Sequence, residues 1–94
     1  MCTMIAMQKQ VEGSGKGPEG WFKVRQVNVS YDHPYNEPLE HALNIDFVNE
    51  AQGPAARVAV ELTLESARRL VETIHAVLAK ADANGFTDER LKAG

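Results

Sequence analysis

Two histidines and one cysteine are the side chains with the clearest capacity for chemistry. His33 and His41 lie either side of a loop with two prolines, and Cys2 is the only cysteine. Imidazole and thiolate are good ligands for zinc and copper, so His33, His41 and Cys2 are predicted as a small metal site. Asp32 or Glu40 would orient the histidines or complete the ligand set.

The histidine pair also has a purely structural interpretation. Seven residues separate His33 from His41, and this spacing matches no established metal-ligand motif. The simpler interpretation is that both rings close the edge of a core and hydrogen-bond to the loop. The third histidine, His75, falls about 16 Å from the start of a predicted helix and is interpreted as a helix-surface residue.

A pocket for a small molecule is a second hypothesis for the same region. The predicted ligand-binding residues are His33, His41, Tyr31 and Tyr35. A strand is expected to end here and a helix to begin, and the open amides of a first helical turn bind carboxylate or phosphate. A protonated histidine would strengthen the binding of an anion.

The leading functional interpretation is a non-enzymatic binding or interaction module. The alternative is a small metal-dependent or Cys2-based hydrolase or isomerase. Nucleophilic catalysis requires Cys2 or a serine beside a general base and an orienting group.

Composition excludes several classes of protein. The 94 residues suffice for one domain, with 44% hydrophobic and 24% charged residues. The net charge of −3 disfavours nucleic-acid binding. No apolar run approaches the roughly 20 residues that span a membrane, and the N-terminal stretch does not resemble a secretory signal. A cytoplasmic protein is therefore expected.

Hydrophobic periodicity predicts four strands and one helix. Alternating apolar residues indicate strands over residues 3–11, 21–32, 41–48 and 56–62, while the glycine-rich segment 13–20 is predicted to be a flexible loop. From Leu64 to about Ala83, apolar residues recur at the three- and four-residue spacing of a helix; they are Ala67, Leu70, Val71, Ile74, Val77, Leu78 and Ala81.

The alternation also predicts how the strands pair. Antiparallel pairing places Tyr31, Val29 and Val27 opposite Leu43, Ile45 and Phe47, which in turn lie opposite Leu62, Val60 and Val58. His33 and His41 then oppose each other at the rim of the apolar face. Phe22 and Val24 fall on the opposite parity, which a bulge near Arg25 and Gln26 would reconcile. Otherwise, this end of the strand is expected to bury its other face, against a partner for example.

The predicted fold is therefore α+β, a four-stranded antiparallel meander sheet with one C-terminal helix packed on its apolar face. The opposite face is polar, which fits a solvated surface, a wet dimer interface or a ligand-binding surface. Residues 1–83 are predicted to form a single domain and residues 84–94 a loose tail. The edge strands and two aromatic residues, Trp21 and Phe22, favour a homodimer.

The predicted flexible loop after strand one leaves two possible registers for that strand. Either Cys2, Met4 and Ala6 point inward, bringing Cys2 near His33, or Thr3, Ile5 and Met7 do so and Cys2 faces away.

Four segments carry a resemblance to a known family. MCTMIA, GWF, SYDHP and EHALNIDFVNE together resemble a family of short, uncharacterised bacterial proteins, a domain of unknown function. The resemblance covers the chain up to the helix. It implies a bacterial origin, but it implies no activity and transfers no functional residues.

Overall fold

The computed structural model describes residues 5–86 of the chain. Two compact units are distinguished: the first extends to Leu64 and the second begins at Glu65. The first unit contains the sheet and the second contains the helix, so the predicted α+β class is confirmed. That residues 1–83 form one domain, with the helix packed on the apolar face, stays a prediction.

The sheet has four antiparallel strands in sequence order. They are β1 (Ile5–Gly17), β2 (Gly20–Asp32), β3 (Ala42–Val48) and β4 (Arg57–Leu62). A single 3₁₀ turn, Glu50–Gln52, lies in the connection between β3 and β4. The meander order leaves β1 and β4 at the edges, as the sequence predicts.

The predicted register of the three later strands is confirmed. Tyr31 pairs with Leu43, Val29 with Ile45 and Val27 with Phe47. The same β3 residues pair with Leu62, Val60 and Val58. One face of the sheet is therefore apolar and the other polar across these strands, because side chains alternate between the two faces.

Strand β1 adopts the second of the two registers considered from the sequence. Ile5 pairs with Tyr31 and Met7 with Val29, so both fall on the apolar face. This is the register in which Cys2 is predicted to face away from the histidines. Cys2 itself lies outside the described residues.

The prediction of a flexible loop over residues 13–20 is wrong. Strand β1 continues to Gly17, and Pro18 and Glu19 alone form the turn of a long hairpin. Gly20 closes the turn with a φ of 111°, a conformation that favours glycine. Gly13, Gly15 and Gly17 are therefore strand residues, and Gly17 is the one that another part of the chain approaches closely.

The predicted bulge exists, but its extra residue belongs to β1. The register shifts between Gln10 and Gly13, so two β1 residues oppose Arg25. The bulge does not carry Phe22 and Val24 to the face of Val27, because β2 itself runs without an added residue. Val24 is instead buried on the other face, at 6% exposure.

Three buried apolar residues, Val24, Val48 and Ala56, lie toward the hairpin end of the sheet. A Cβ on Gly17 would lie 2.7 Å from the carbonyl oxygen of Ala55, so the hairpin reaches the connection between β3 and β4. Curling of the sheet thus buries residues that the strand pattern alone places on the polar side.

Helix α1 (Leu64–Ala83) has the predicted bounds. His75 is exposed, as expected for a surface histidine. Within residues 5–86, no helix combines the length and the hydrophobicity that crossing a membrane requires. The predicted tail begins with exposed residues 84–86 and otherwise lies outside the described residues.

Candidate functional site

The polar face of the sheet carries a cleft of ≈ 460 Å³. Strand residues line its floor, and the loop between β2 and β3, residues 33–41, forms one wall. The polar residues around it are Ser30, Asp32, His33, Tyr35, Asn36, Asn44, Asp46, Arg57 and Glu61. The strand positions share one face because β2, β3 and β4 pair in register.

Glu61 holds the loop in place through three backbone amides. Its Oε2 accepts a hydrogen bond from the amide of Tyr35 at 2.7 Å. Its Oε1 accepts from the amides of Asn36 at 2.9 Å and Glu37 at 3.0 Å. Consecutive amides that converge in this way form an anion-binding concavity, and here the protein supplies the anion from β4.

These amides lower the pKa of the Glu61 carboxyl below its ordinary value of 4.5. The bond from Tyr35 contributes most, followed by that from Glu37, while desolvation acts in the opposite direction. Hydrogen bonds donated to a carboxylate favour its charged form. The loop and the ionisation of Glu61 are therefore coupled.

Acidification is expected to release this loop at a pH below 4.5. The folded-state pKa of Glu61 is depressed. The ionised carboxylate therefore stabilises the folded protein fully above pH 4.5, and this stabilisation is lost as the pH falls through the folded-state pKa. The amide resonances of Tyr35, Asn36 and Glu37 should shift together in a ¹⁵N nuclear magnetic resonance titration.

Glu61→Gln should abolish that transition, because the neutral amide does not titrate. Glu65→Gln, which changes an exposed helix carboxylate, is the control and should leave the transition in place. A common midpoint at or above 4.5, or a transition that survives in Glu61→Gln, would contradict the assignment.

The charges of the cleft are predominantly negative. Asp32, Asp46 and Glu61 contribute three carboxylates, and Arg57 contributes the guanidinium. Arg57 donates to one Asp46 oxygen from Nε at 3.2 Å and from its terminal nitrogen at 2.9 Å. Asp32 accepts from the amide of His33 at 2.7 Å. The arrangement favours a ligand that is cationic or rich in hydrogen-bond donors.

Three aromatic rings form a stacked column, of which only His33 borders the cleft. The His41 ring stacks on Tyr31, with centroids 5.6 Å apart and planes inclined by 16°. His33 stacks on His41, with centroids 5.0 Å apart and planes inclined by 26°. The predicted opposition of His33 and His41 is thus confirmed, and their rings meet face to face.

Face-to-face stacking is not the geometry of a shared metal ion. Imidazole coordinates through lone pairs in the ring plane, so nearly parallel rings direct them side by side rather than toward one point. Within residues 5–86, no group of three His, Cys, Asp or Glu side chains is placed to hold a metal. Zinc or copper at His33, His41 and Cys2 stays a prediction, with Cys2 outside the described residues.

The four residues predicted to bind a small ligand fall into two sets. His33 and Tyr35 border the cleft. Tyr31 and His41 belong to the ring column instead. The sequence analysis placed the predicted site at the rim of the apolar face. It allowed a ligand-binding surface on the polar face, but it did not identify Glu61 as the residue that holds the loop.

Comparison with known proteins identifies the family. A family model described as a family of unknown function (DUF6295) matches residues 1–87. The chain belongs to this family. The family match confirms the resemblance seen in the sequence and extends it through the helix, whereas bacterial origin stays a prediction. Searches of curated proteins and of solved structures gave no match.

Proposed function

We propose that this DUF6295 protein is a small, non-catalytic binding protein whose cleft takes up a small cationic molecule such as an aliphatic amine. The observation that carries the proposal is the cleft itself, whose lining includes three carboxylates and one guanidinium beside a loop held by Glu61. Tyr35 and His33 stand at its edge.

The size of the cleft supports a small ligand. Its volume of ≈ 460 Å³ falls within the roughly 300–1,000 Å³ of small-molecule sites. Most such sites are predominantly apolar, whereas this one is lined mainly by charged and amide side chains. A hydrophilic ligand suits that lining, because each polar group that loses water needs a new hydrogen-bond partner.

Asp32 is the best candidate to bind the cation. Asp46 is neutralised by Arg57, and Glu61 is engaged by three loop amides. A carboxylate offers about four lone-pair sites, so Asp32 retains acceptor capacity beyond its bond from the His33 amide. An ammonium group in the cleft would meet this carboxylate beside Ser30 and Asn44.

Titration with 1,4-diaminobutane tests the proposal. In ¹⁵N nuclear magnetic resonance spectra, amide shifts should be confined to residues 30–36, 44–46 and 57–61. Asp32→Asn should weaken binding about two- to fivefold, the effect of losing one exposed ion pair. The substituted amide oxygen can still accept from the His33 amide, so the loop is preserved.

Glu72→Gln is the matched control, because it removes the same charge from an exposed helix position and should leave the affinity unchanged. Succinate, of similar length and opposite charge, should cause no shifts in the cleft. The proposal fails if diaminobutane produces no localised shifts at millimolar concentration. It also fails if the two variants weaken binding equally, since that would report only net charge.

A further inference from the structure

A second cleft adjoins the first on the polar face of the sheet. Its volume is ≈ 370 Å³, and it extends toward the connection between β3 and β4. Asp46 and Arg57 line both clefts, so the ion pair between these two side chains stands where one cleft passes into the other. All the lining residues belong to the unit that contains the sheet.

The second cleft has a more apolar lining than the first. Val48, Pro54 and Ala56 contribute apolar surface, and Glu50 contributes a carboxylate. A ligand that follows both clefts therefore meets the carboxylate of Asp32, then the ion pair and an apolar stretch, and finally a second carboxylate.

The strand register sets the length of such a ligand. Asp32 lines the first cleft and Asn28 the second, and the rise of about 3.3 Å per strand residue separates them by about 13 Å. Glu50 lies further along, because it follows Val48, the pairing partner of Gln26. A ligand that occupies both clefts is therefore elongated, with its cationic groups at its ends.

Resting on the proposed function, we propose that the preferred ligand is a long, linear diamine with an uncharged middle. One ammonium group binds at Asp32 and the other at Glu50, and the methylene chain between them lies along Val48 and Ala56. Long diamines thus use both clefts, whereas a short diamine uses the first alone.

The ion pair between the clefts is the reason for the uncharged middle. Arg57 donates two hydrogen bonds to Asp46, so the pair as a whole is neutral. An ammonium group placed there would lose water without gaining a free counter-charge, which disfavours binding. Methylene groups lose no hydrogen bonds at that point.

Three amines test the proposal. Spermine and 1,12-diaminododecane have chains of equal length, but spermine carries two further ammonium groups in its middle. The dodecane should bind at least about tenfold more tightly than 1,4-diaminobutane, because each methylene that leaves water strengthens binding about fourfold. It should also bind more tightly than spermine. In ¹⁵N nuclear magnetic resonance spectra, it should extend the amide shifts to Asn28, Val48 and Glu50.

Glu50→Gln separates the two ends of the ligand. It should weaken binding of 1,12-diaminododecane about two- to fivefold and leave binding of 1,4-diaminobutane unchanged. The turn is preserved, because the bond from the Gly53 amide goes to the backbone carbonyl of Glu50. Glu19→Gln is the matched control, since it removes the same charge from an exposed position that lines neither cleft; it should affect neither diamine.

The outcomes distinguish this proposal from the one on which it rests. If 1,4-diaminobutane shifts the amides of the first cleft but the longer diamine binds no more tightly, the proposed function stands and the long ligand is wrong. If neither diamine causes localised shifts, both proposals fail. Spermine that binds as tightly as 1,12-diaminododecane would overturn the uncharged middle. Equal losses in Glu50→Gln and Glu19→Gln would overturn the assignment of Glu50.

Discussion

Gly17→Ala is expected to lower the free energy of unfolding by about 1–3 kcal/mol, the usual cost of forcing atoms into a packed site. The new Cβ would lie 2.7 Å from the carbonyl oxygen of Ala55 and 3.4 Å from that of Arg57. Backbone oxygens cannot rotate away as a side chain can, so the hairpin must separate from the connection between β3 and β4. Urea denaturation measures the loss.

Gly13→Ala is the matched control in the same strand. A Cβ on Gly13 would meet nothing within 4 Å. Since Gly13 also lacks a positive φ, alanine should be neutral or should stabilise the protein by about 0.4–1 kcal/mol through the unfolded state. An equal loss in both variants would indicate a general intolerance of β1 to alanine, and no loss at Gly17 would contradict the close approach.

The sequence was sufficient to predict the register in which β2, β3 and β4 pair. Val27, Val29 and Tyr31 alternate with polar residues, as do Leu43 and Ile45. A slip of one residue would turn every one of these side chains to the other face, so few pairings are compatible with the pattern. The observed pairs are those that the alternation selects.

The hairpin end could not be predicted from the same signal. Glycines between residues 13 and 20 are typical of loops, yet three of them lie in β1. The discriminating signal is the alternation of Gly13, Gly15 and Gly17 in register with Val24 and Phe22. A Cβ on Gly15 would meet the side chains of Val24 and Phe22, whereas a Cβ on Gly17 would meet the carbonyl oxygen of Ala55. Identifying the segment that approaches Gly17 requires the curvature of the sheet.

The cleft eluded sequence reasoning for a related reason. Glu61 is 26 residues from Tyr35 and 24 from Glu37. Its carboxylate oxygens accept hydrogen bonds from backbone amides. Every residue except proline has such an amide, so the sequence gives no signal of these bonds. The two histidines indicated the correct loop. The residue that holds the loop, however, is an acidic side chain on a strand that is distant in sequence.

Asn49 and Glu61 have equivalent roles at opposite ends of the sheet. Each is a polar side chain that fixes a connection through backbone groups distant in sequence. Glu61 binds the amides of the loop between β2 and β3. Asn49 donates from Nδ2 to the carbonyl oxygen of Lys23 at 2.9 Å, and it accepts from the amide of Ala51 at 3.2 Å.

Asn49→Ala is therefore expected to lower the free energy of unfolding by about 1–3 kcal/mol. Asn49 is 8% exposed, so water cannot readily replace the bond to Lys23. The substitution also removes the cap of the 3₁₀ turn. Urea denaturation measures the loss, and amide hydrogen exchange should accelerate first around Lys23 and Ala51.

Two comparisons separate the roles of this side chain. Asn49→Asp keeps an oxygen that accepts from the Ala51 amide but loses the donor to the Lys23 carbonyl. The decrease in unfolding free energy in this variant therefore measures the bond between Asn49 and β2. Asn84→Ala removes an amide that also donates to a backbone carbonyl, that of Lys80 at 2.9 Å, but at an exposed helix end. It should change stability by less than about 0.5 kcal/mol. If Asn49→Ala were equally mild, the hairpin would be held by the packing of Val24 and its apolar neighbours, and the burial of a polar anchor there would have no energetic role.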